Sequence, residues 1–545
     1  MGRSLGFGIG LLAAVALLLG PTVTPMATAQ TDAPTEVRID LDSSAGSGAP
    51  KLGGLSWNAG GDLGLVEDIR PPAVRIDGAL ERVSPSEGVL ELDRLLGRVA
   101  EIRRIGAEPL VILSYMPVWL GEPNAGGRDP TRVAPADLDK WETLITDVVR
   151  ALATAPDPAY RFEVWNEPDL PVFFQDLPTT FMDMAARSHR AVATVAEETG
   201  LPLQIGGPAT AAPDPVYMVP YVQRMVAEGL PLDFVSWHYY ANHPFFGPDG
   251  NEGFVPDAVY EANARRNPLA SPRLFGEQPA AVQAFIDPAL AGSDLDPELL
   301  ITEWNISAAG FDVRHASHEG AAFALGTLIE LEGSGLDGAD YYRAISDDVE
   351  HPGDWATVTA SGDRRPSWWA LQAWNDSADG ALLALTGDDP AGGFWARAAR
   401  LPDGRVDVFL TAFENQGDTS RTVDLVLDGA CADPAGEVSF LSPDSADLST
   451  YAPISFTDSR TTVDLPSQSA AVLRLRCGTG TAASTAAGGA PSAPGDQATT
   501  PVTAPLPATG GDHRIVGVAL ALVALVLGMR RRLSLGTTGS GAEAG

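Results

Sequence analysis

Between about Gly53 and Asp376, short runs of β-branched and other apolar residues alternate with longer stretches whose apolar positions recur every three or four residues. The short runs are Gly54–Trp57, Ala73–Asp77, Pro109–Ser114, Phe162–Asn166, Leu203–Gly207, Phe234–His238, Leu300–Glu303 and Ala339–Arg343. Each predicts a buried strand, and stretches such as Leu92–Ile105, Asp137–Ala153, Phe181–Thr199 and Ser317–Gly333 predict the helices between them. Eight strand-then-helix units over 53–376 predict an α/β fold in which a parallel sheet closes into a (β/α)8 barrel. A doubly wound open sheet usually brings a glycine-rich phosphate loop after its first strand. Gly53-Gly54 and Gly60-Gly61 lack that spacing.

From about Ala381 the texture changes. Arg405–Leu410, Thr422–Leu427, Val438–Leu441 and Ala470–Leu475 alternate apolar and polar positions between Asp, Gly, Pro and Ser turns. This predicts a small antiparallel β-sandwich over 377–477. Glu36–Leu41, within the N-terminal segment 30–52, alternates in the same way and is expected to join that sheet. The long stretch from Pro244 to Leu299, rich in Pro, Gly, Asn and Asp, is expected to be a loop walling the cleft or decorating its rim.

The ends carry a different pattern. Residues 1–29 combine a basic start at Arg3, an apolar run from Leu5 to Leu19 and Ala27-Thr28-Ala29, the order of a signal peptide. Residues 478–505 are Gly, Ala, Ser, Thr and Pro with almost no charge, a composition that cannot offset its own ordering entropy and predicts a flexible stalk. In 506–545, Leu506-Pro507-Ala508-Thr509-Gly510 precedes an apolar run from Ile515 to Met529 and then Arg530-Arg531-Arg532. This resembles the LPXTG sorting signal of Gram-positive bacteria. The resemblance implies that sortase cleaves after Thr509 and joins it to peptidoglycan, the apolar helix holding the chain in the membrane only until then.

An exported chain meets an oxidising environment, so the only two cysteines, Cys431 and Cys477, predict a disulfide. The formal net charge of −35 argues against nucleic acid and against anionic membrane surfaces as partners. It is indifferent to a neutral sugar. No Cys/His spacing suggests a zinc site.

In barrels of this kind chemistry sits where the strands end. The fourth run ends in Trp165-Asn166-Glu167-Pro168, the sixth in Trp237-His238-Tyr239-Tyr240, the seventh in Thr302-Glu303-Trp304-Asn305, and the second carries Arg75. Two carboxylates on opposite strand ends can face each other across a cleft, the pair that glycoside cleavage requires. An arginine beside Glu303 would keep it ionised, and the charge on Glu303 would help keep Glu167 protonated. Asn166 can donate to a sugar hydroxyl. Trp304, Trp237 and Tyr240 offer flat faces to a pyranose ring, packing of the two indoles at the barrel mouth being the alternative.

Phe162-Glu163-Val164-Trp165-Asn166-Glu167-Pro168, Ile205-Gly206-Gly207-Pro208-Ala209, Asp233 to Tyr240 and Ile301-Thr302-Glu303-Trp304-Asn305 resemble, in that order, glycoside hydrolases of clan A and within them family 39. The resemblance implies a barrel with an accessory β-sandwich, a retaining mechanism on a carbohydrate substrate, no metal and no organic cofactor. It also implies Glu167 as acid/base, Glu303 as nucleophile, and Asn166, His238 and Tyr240 as sugar contacts. Family activities include β-xylosidase and α-L-iduronidase. Two positions depart from its pattern: Asp77 ends the second strand where many members have His, and Arg343 follows Tyr341-Tyr342 at the eighth. Both are expected to line the pocket, a mutual salt bridge being the alternative. Other readings compatible with the sequence are a non-catalytic glycan-binding adhesin and a transglycosylase.

Overall fold

The computed structural model describes residues 34–58, 60–121, 127–242, 271–310, 312–346, 353–415 and 417–478. The predicted signal peptide, the stalk, the sorting signal with Thr509 and the first part of the Pro244–Leu299 stretch lie outside the described residues. Among the described residues no helix is long and apolar enough to cross a membrane.

Eight parallel strands close into a barrel: β1 Gly54–Ser56, β2 Ala73–Asp77, β3 Glu108–Leu113, β4 Arg161–Val164, β5 Gln204–Thr210, β6 Phe234–Asn242, β7 Glu298–Ser307 and β8 Gly338–Tyr342, with β8 pairing back onto β1. The fold is a (β/α)8 barrel with an additional β-sheet domain. Helices Asp93–Arg104, Leu138–Ala153, Pro178–Thr199, Pro215–Glu228 and His318–Glu332 cover the outside. Leu138–Ala153 shows why they form. Asp137 caps the amides of Asp139 and Lys140, while Trp141, Leu144, Ile145, Val148, Val149 and Leu152 fall on the buried stripe.

The second half of the Pro244–Leu299 stretch is not a rim loop. It holds helices Arg273–Gly276 and Gln278–Leu290, and Phe275 packs edge-on against Trp304, Tyr239 and Phe323. Pro279 in the first turn and Pro288 within Gln278–Leu290 mask the helical pattern.

Polarity inside the barrel is layered. Leu110, Phe234 and Leu300 form a small apolar floor, and Arg75, Glu163, Ser236 and Thr302 form a charged layer above it. The β6–β7 ladder then skips a residue: Trp237 faces Ile301 but His238 faces Glu303, leaving Thr302 as a bulge. The extra residue lets Thr302 and Glu303 both turn inward and sends Trp304 outward.

The second domain has two sheets. One orders Ala384–Thr386, Thr35–Asp40, Arg421–Asp428 and Arg460–Leu465; the other orders Ala452–Ser455, Ala432–Leu441, Ala470–Gly478, Val406–Ala412, Phe394–Arg400, Ala381–Leu382 and Gly46–Ser47. The expectation of a purely antiparallel sandwich is corrected at one pair, since Thr35–Asp40 runs parallel to Arg421–Asp428. Cys431 and Cys477 are disulfide-bonded. Strand Phe394–Arg400 joins the domains by alternation. Phe394, Ala396 and Ala398 fill the sandwich core, while Trp395 and Arg397 point to the barrel and bond Glu330 and Glu332 of His318–Glu332. Both faces of this strand are therefore buried.

Candidate active site

At the end of β4 the backbone leaves the extended region: Trp165 has φ 66° and Glu167 φ 44°. Each such non-glycine residue costs on the order of 1–3 kcal/mol and persists only where its surroundings enforce it. Here Trp165 is fully buried, gives its indole N–H to Phe173 O at 3.1 Å and meets Tyr115 and Phe174 edge-on. The Glu167 amide bonds Ala209 O at 2.8 Å. The turn aims the Glu167 carboxyl over the barrel.

Arg75 organises the interior. Its Nε donates to Glu163 at 2.6 Å, Nη1 to Glu303 Oε1 at 2.6 Å and Nη2 to Asn166 Oδ1 at 3.0 Å. The other oxygen of Glu163 accepts from Ser236 and Thr302 at 2.7 and 2.8 Å. With its oxygen bound to Arg75, Asn166 keeps its amide hydrogens as donors. Glu303 Oε2 accepts from the Tyr240 hydroxyl at 2.8 Å. Glu167 Oε1 lies 2.8 Å from His238 Nδ1, which also stands 3.7 Å from Glu303 Oε2.

These contacts make the two carboxyls unequal. Burial lifts both. Glu167 is pushed well above the carboxylate range, first by burial and then by the charge on Glu303. Glu303 is pulled back by the Arg75 charge and by hydrogen bonds from Tyr240 and Arg75. His238, buried and near Arg75, is held neutral well below the usual histidine range. Oxygens of Glu167 and Glu303 and a ring nitrogen of His238 lie within 4.8 Å of one another, a spacing that would also suit metal ligands. The fixed charge of Arg75 against Glu303 disfavours a cation there.

Arg75, Asn166, Glu167, His238, Tyr240 and Glu303 thus converge on one site at the strand ends. Trp237 and Trp304 do not join them. Both are fully buried in the layer between strands and helices, Trp304 against Tyr341 and Phe275. Alternation turns Trp237 outward beside the inward His238, and the bulge at Thr302 does the same to Trp304. Neither offers a face to a sugar.

Asp77 accepts from the Ala79 amide at 2.9 Å and from the Ser114 hydroxyl at 3.3 Å, while Arg343 holds Asp354 with Nε and Nη2 at 2.9–3.1 Å. The mutual salt bridge is thereby replaced by separate partners.

Several residues of the cleft carried no assignment from sequence. Glu163 is the buried counter-charge of Arg75. Tyr115 feels the charges of Asp77, Glu167 and Glu303 and has Arg132 stacked 3.4 Å above its ring. Tyr342 meets Tyr240 and Trp355 edge-on, extending the aromatic wall outward from Glu303. Tyr342 ends β8 and Tyr115 lies two residues past the end of β3, and that place at the strand ends is the signal that marks them.

Residues 84–253 match the sequence profile of Glycosyl hydrolases family 39. A β-xylosidase of Caldicellulosiruptor saccharolyticus is 26% identical over 300 residues, 52% of this chain and 56% of that protein. One of Geobacillus stearothermophilus is 25% identical over 339 residues, 59% of this chain and 61% of the relative. The chain thus spans little more than half the length of these curated relatives. Among solved structures, a monomeric β-xylosidase from Caulobacter crescentus superposes with a TM-score of 0.62 at 18% identity, covering 81% of this chain and 99% of that one. The GH39 enzyme from Xanthomonas axonopodis pv. citri gives 0.60 at 19%, covering 84% and 100%. At these identities the likeness is one of fold.

Proposed function

We propose that this chain is a retaining glycoside hydrolase of family 39, acting by double displacement on the glycosidic bond of a neutral, β-xyloside-like substrate. The observation that carries the reading is the pairing of Glu167 and Glu303, oxygens within 4.8 Å, in unequal surroundings. Retaining enzymes hold their carboxyls about 5–5.5 Å apart, and inverting ones about 6.5–9.5 Å to admit a water.

In the first step the Glu167 carboxyl gives its proton to the glycosidic oxygen as the bond to the anomeric carbon breaks. Glu303, kept anionic by Arg75 and Tyr240, attacks that carbon and forms a glycosyl ester. In the second step Glu167, now a carboxylate, takes a proton from water as its oxygen displaces Glu303. His238 holds the Glu167 oxygen in place through both steps, and the Asn166 amide is free to bond a sugar hydroxyl.

The profile match and the β-xylosidase relatives support the substrate class. The glycone belongs to the proposal, because Asp77 and Arg343 depart from the family pattern. Export and attachment to the wall of a Gram-positive cell through Thr509 also belong to it, supported by the sequence signals at both ends. Release of the protein by muralytic enzyme, and not by detergent, is the outcome expected of wall attachment.

The decisive experiment incubates the Gln30–Gly478 fragment and its Glu303→Ala variant with a panel of aryl glycosides. Turnover of one glycoside that the variant loses, with azide restoring turnover in Glu167→Ala as a glycosyl azide of retained configuration, is expected. An inverted product sinks the double displacement.

A further inference from the structure

Among the described residues lies a concavity of about 280 Å³ away from the two carboxyls. It is lined by Ser84, Val89 and Leu90 from the β2 loop, Trp119 from the β3 loop, and Lys140, Thr143 and Leu144 from the first turns of helix Leu138–Ala153. Both loops follow strands and so lie on the barrel face that carries Glu167 and Glu303.

Trp119 is half-buried, and its indole N–H is already committed to Ser84, 3.0 Å to the carbonyl oxygen. Its polar edge is satisfied and its ring lines the hollow. Val89, Leu90 and neighbouring Val118 are 41%, 37% and 59% exposed, half of the large apolar side chains exposed among the described residues. Water-facing apolar residues grouped around a ring and rimmed by polar groups mark a binding surface. The rim holds hydroxyl-bonding groups: Glu87 and Lys140, paired at 2.8 Å, with Thr143 and Asp147.

Charge selects the occupant. The Glu87–Lys140 pair cancels, as does Asp147 with Arg150 at 3.0 Å, on a chain of net charge −35. A polyanion is repelled here, whereas a neutral chain of sugar rings, apolar on its faces and hydroxylated at its edges, meets both features. The chain also ties the groove to the neighbourhood of the two carboxyls. Tyr115, which feels the charges of Glu167 and Glu303, stands four residues before Trp119, a span of at most about 14 Å.

We infer that the Trp119 groove is an accessory site for a neutral β-linked glycan chain whose other end occupies the cleft. The substrate would then be a polymer or long oligosaccharide. This inference rests on the glycosidase reading for its ligand class, and it is tested by binding, without turnover.

The probes are native gels containing soluble xylan, xyloglucan or hyaluronate. They are run with the parent fragment, Glu303→Ala, Trp119→Ala and Trp119→Phe, their circular dichroism compared first. Expected is retardation of the parent and of Glu303→Ala on a neutral glycan, weakened about tenfold in Trp119→Ala and largely kept in Trp119→Phe. Aryl-glycoside kinetics should be unchanged in Trp119→Ala. Should Trp119→Ala fail to fold, Leu90→Ser at an exposed position makes the same test. Equal retardation of parent and variant overturns the site, as does retardation on hyaluronate alone or on no gel. Trp119-dependent retention without hydrolysis of any aryl glycoside would uphold the groove and sink the hydrolase. Hydrolysis without such retention would do the reverse.

Discussion

The Arg75 guanidinium and the Glu303 carboxylate meet at 2.6 Å, and Arg75 has no exposure to solvent. The same guanidinium binds Glu163, whose side chain is also wholly buried. One cation therefore compensates two carboxylates, and its removal leaves Glu163 with only Ser236 and Thr302. Arg75→Met should destabilise the fold by about 3–5 kcal/mol, the cost of stranding a buried charge. Urea denaturation of parent and variant measures it, and a loss below about 1 kcal/mol would contradict the pairing. Arg75→Met/Glu163→Leu should recover much of the loss.

Tyr240 donates to Glu303 at 2.8 Å and so helps hold its pKa down. Tyr240→Phe removes that donor, and the pKa of Glu303 rises. Under the proposed mechanism the nucleophile must be ionised, so the acid limb of kcat/KM should move to higher pH. The rate at its optimum should fall about tenfold or more, the worth of a hydrogen bond to a charged group. An unmoved acid limb would assign that limb to another group.

Under the same mechanism the alkaline limb belongs to Glu167, whose carboxyl is pushed up by burial and by Glu303. Activity should fall as pH rises through its raised pKa. With an aryl glycoside whose leaving group needs no proton, the alkaline limb of the glycosylation step should flatten. In Glu167→Gln it should be absent. Persistence of the limb in that variant would remove Glu167 from the acid role.

Asp340 is buried on β8 near enough to Arg75 to feel its charge, and burial pushes its carboxyl up to about 8 from an unfolded value near 3.8. A raised acid stabilises the fold fully below the unfolded value, and that contribution is lost as pH rises towards 8. Asp340→Asn does not ionise. Its melting temperature should therefore gain on that of the parent between about pH 4 and pH 8 and hold a constant lead above. A difference independent of pH would show that Asp340 is already charged in the fold.

The Cys431–Cys477 disulfide closes a loop of 46 residues across the ends of the sandwich. Loop closure of that size is worth about 4 kcal/mol in the chain-entropy account. Reduction, or Cys431→Ser/Cys477→Ser, should lower the sandwich's unfolding midpoint. Because Trp395 and Arg397 tie that domain to helix His318–Glu332, the barrel should lose stability with it.

Much of this was legible in the chain. The strands Ala73–Asp77 and Gly338–Tyr342, the helix Leu138–Ala153 and the pairing of Glu167 with Glu303 all follow from local pattern, because buried strands and amphipathic helices write their period into apolar spacing. Helix Gln278–Leu290 was hidden by prolines that the tertiary packing of Phe275 and its neighbours tolerates. Trp237 and Trp304 were misplaced for a different reason. A residue type says that a flat ring is present, and only strand register says which way it faces. The inserted residue at Thr302 is invisible to composition, yet it turns Glu303 inward and Trp304 out.

The sequence by itself determined the barrel, the appended β domain and the presence of a carboxyl pair at the strand ends, since these depend on period and on residue type. Only the tertiary structure decided which charges meet. Arg75 with Glu163 as well as the expected Glu303, and Arg343 with Asp354 instead of Asp77, are contacts set by distances of a few ångströms, and no local pattern encodes those distances.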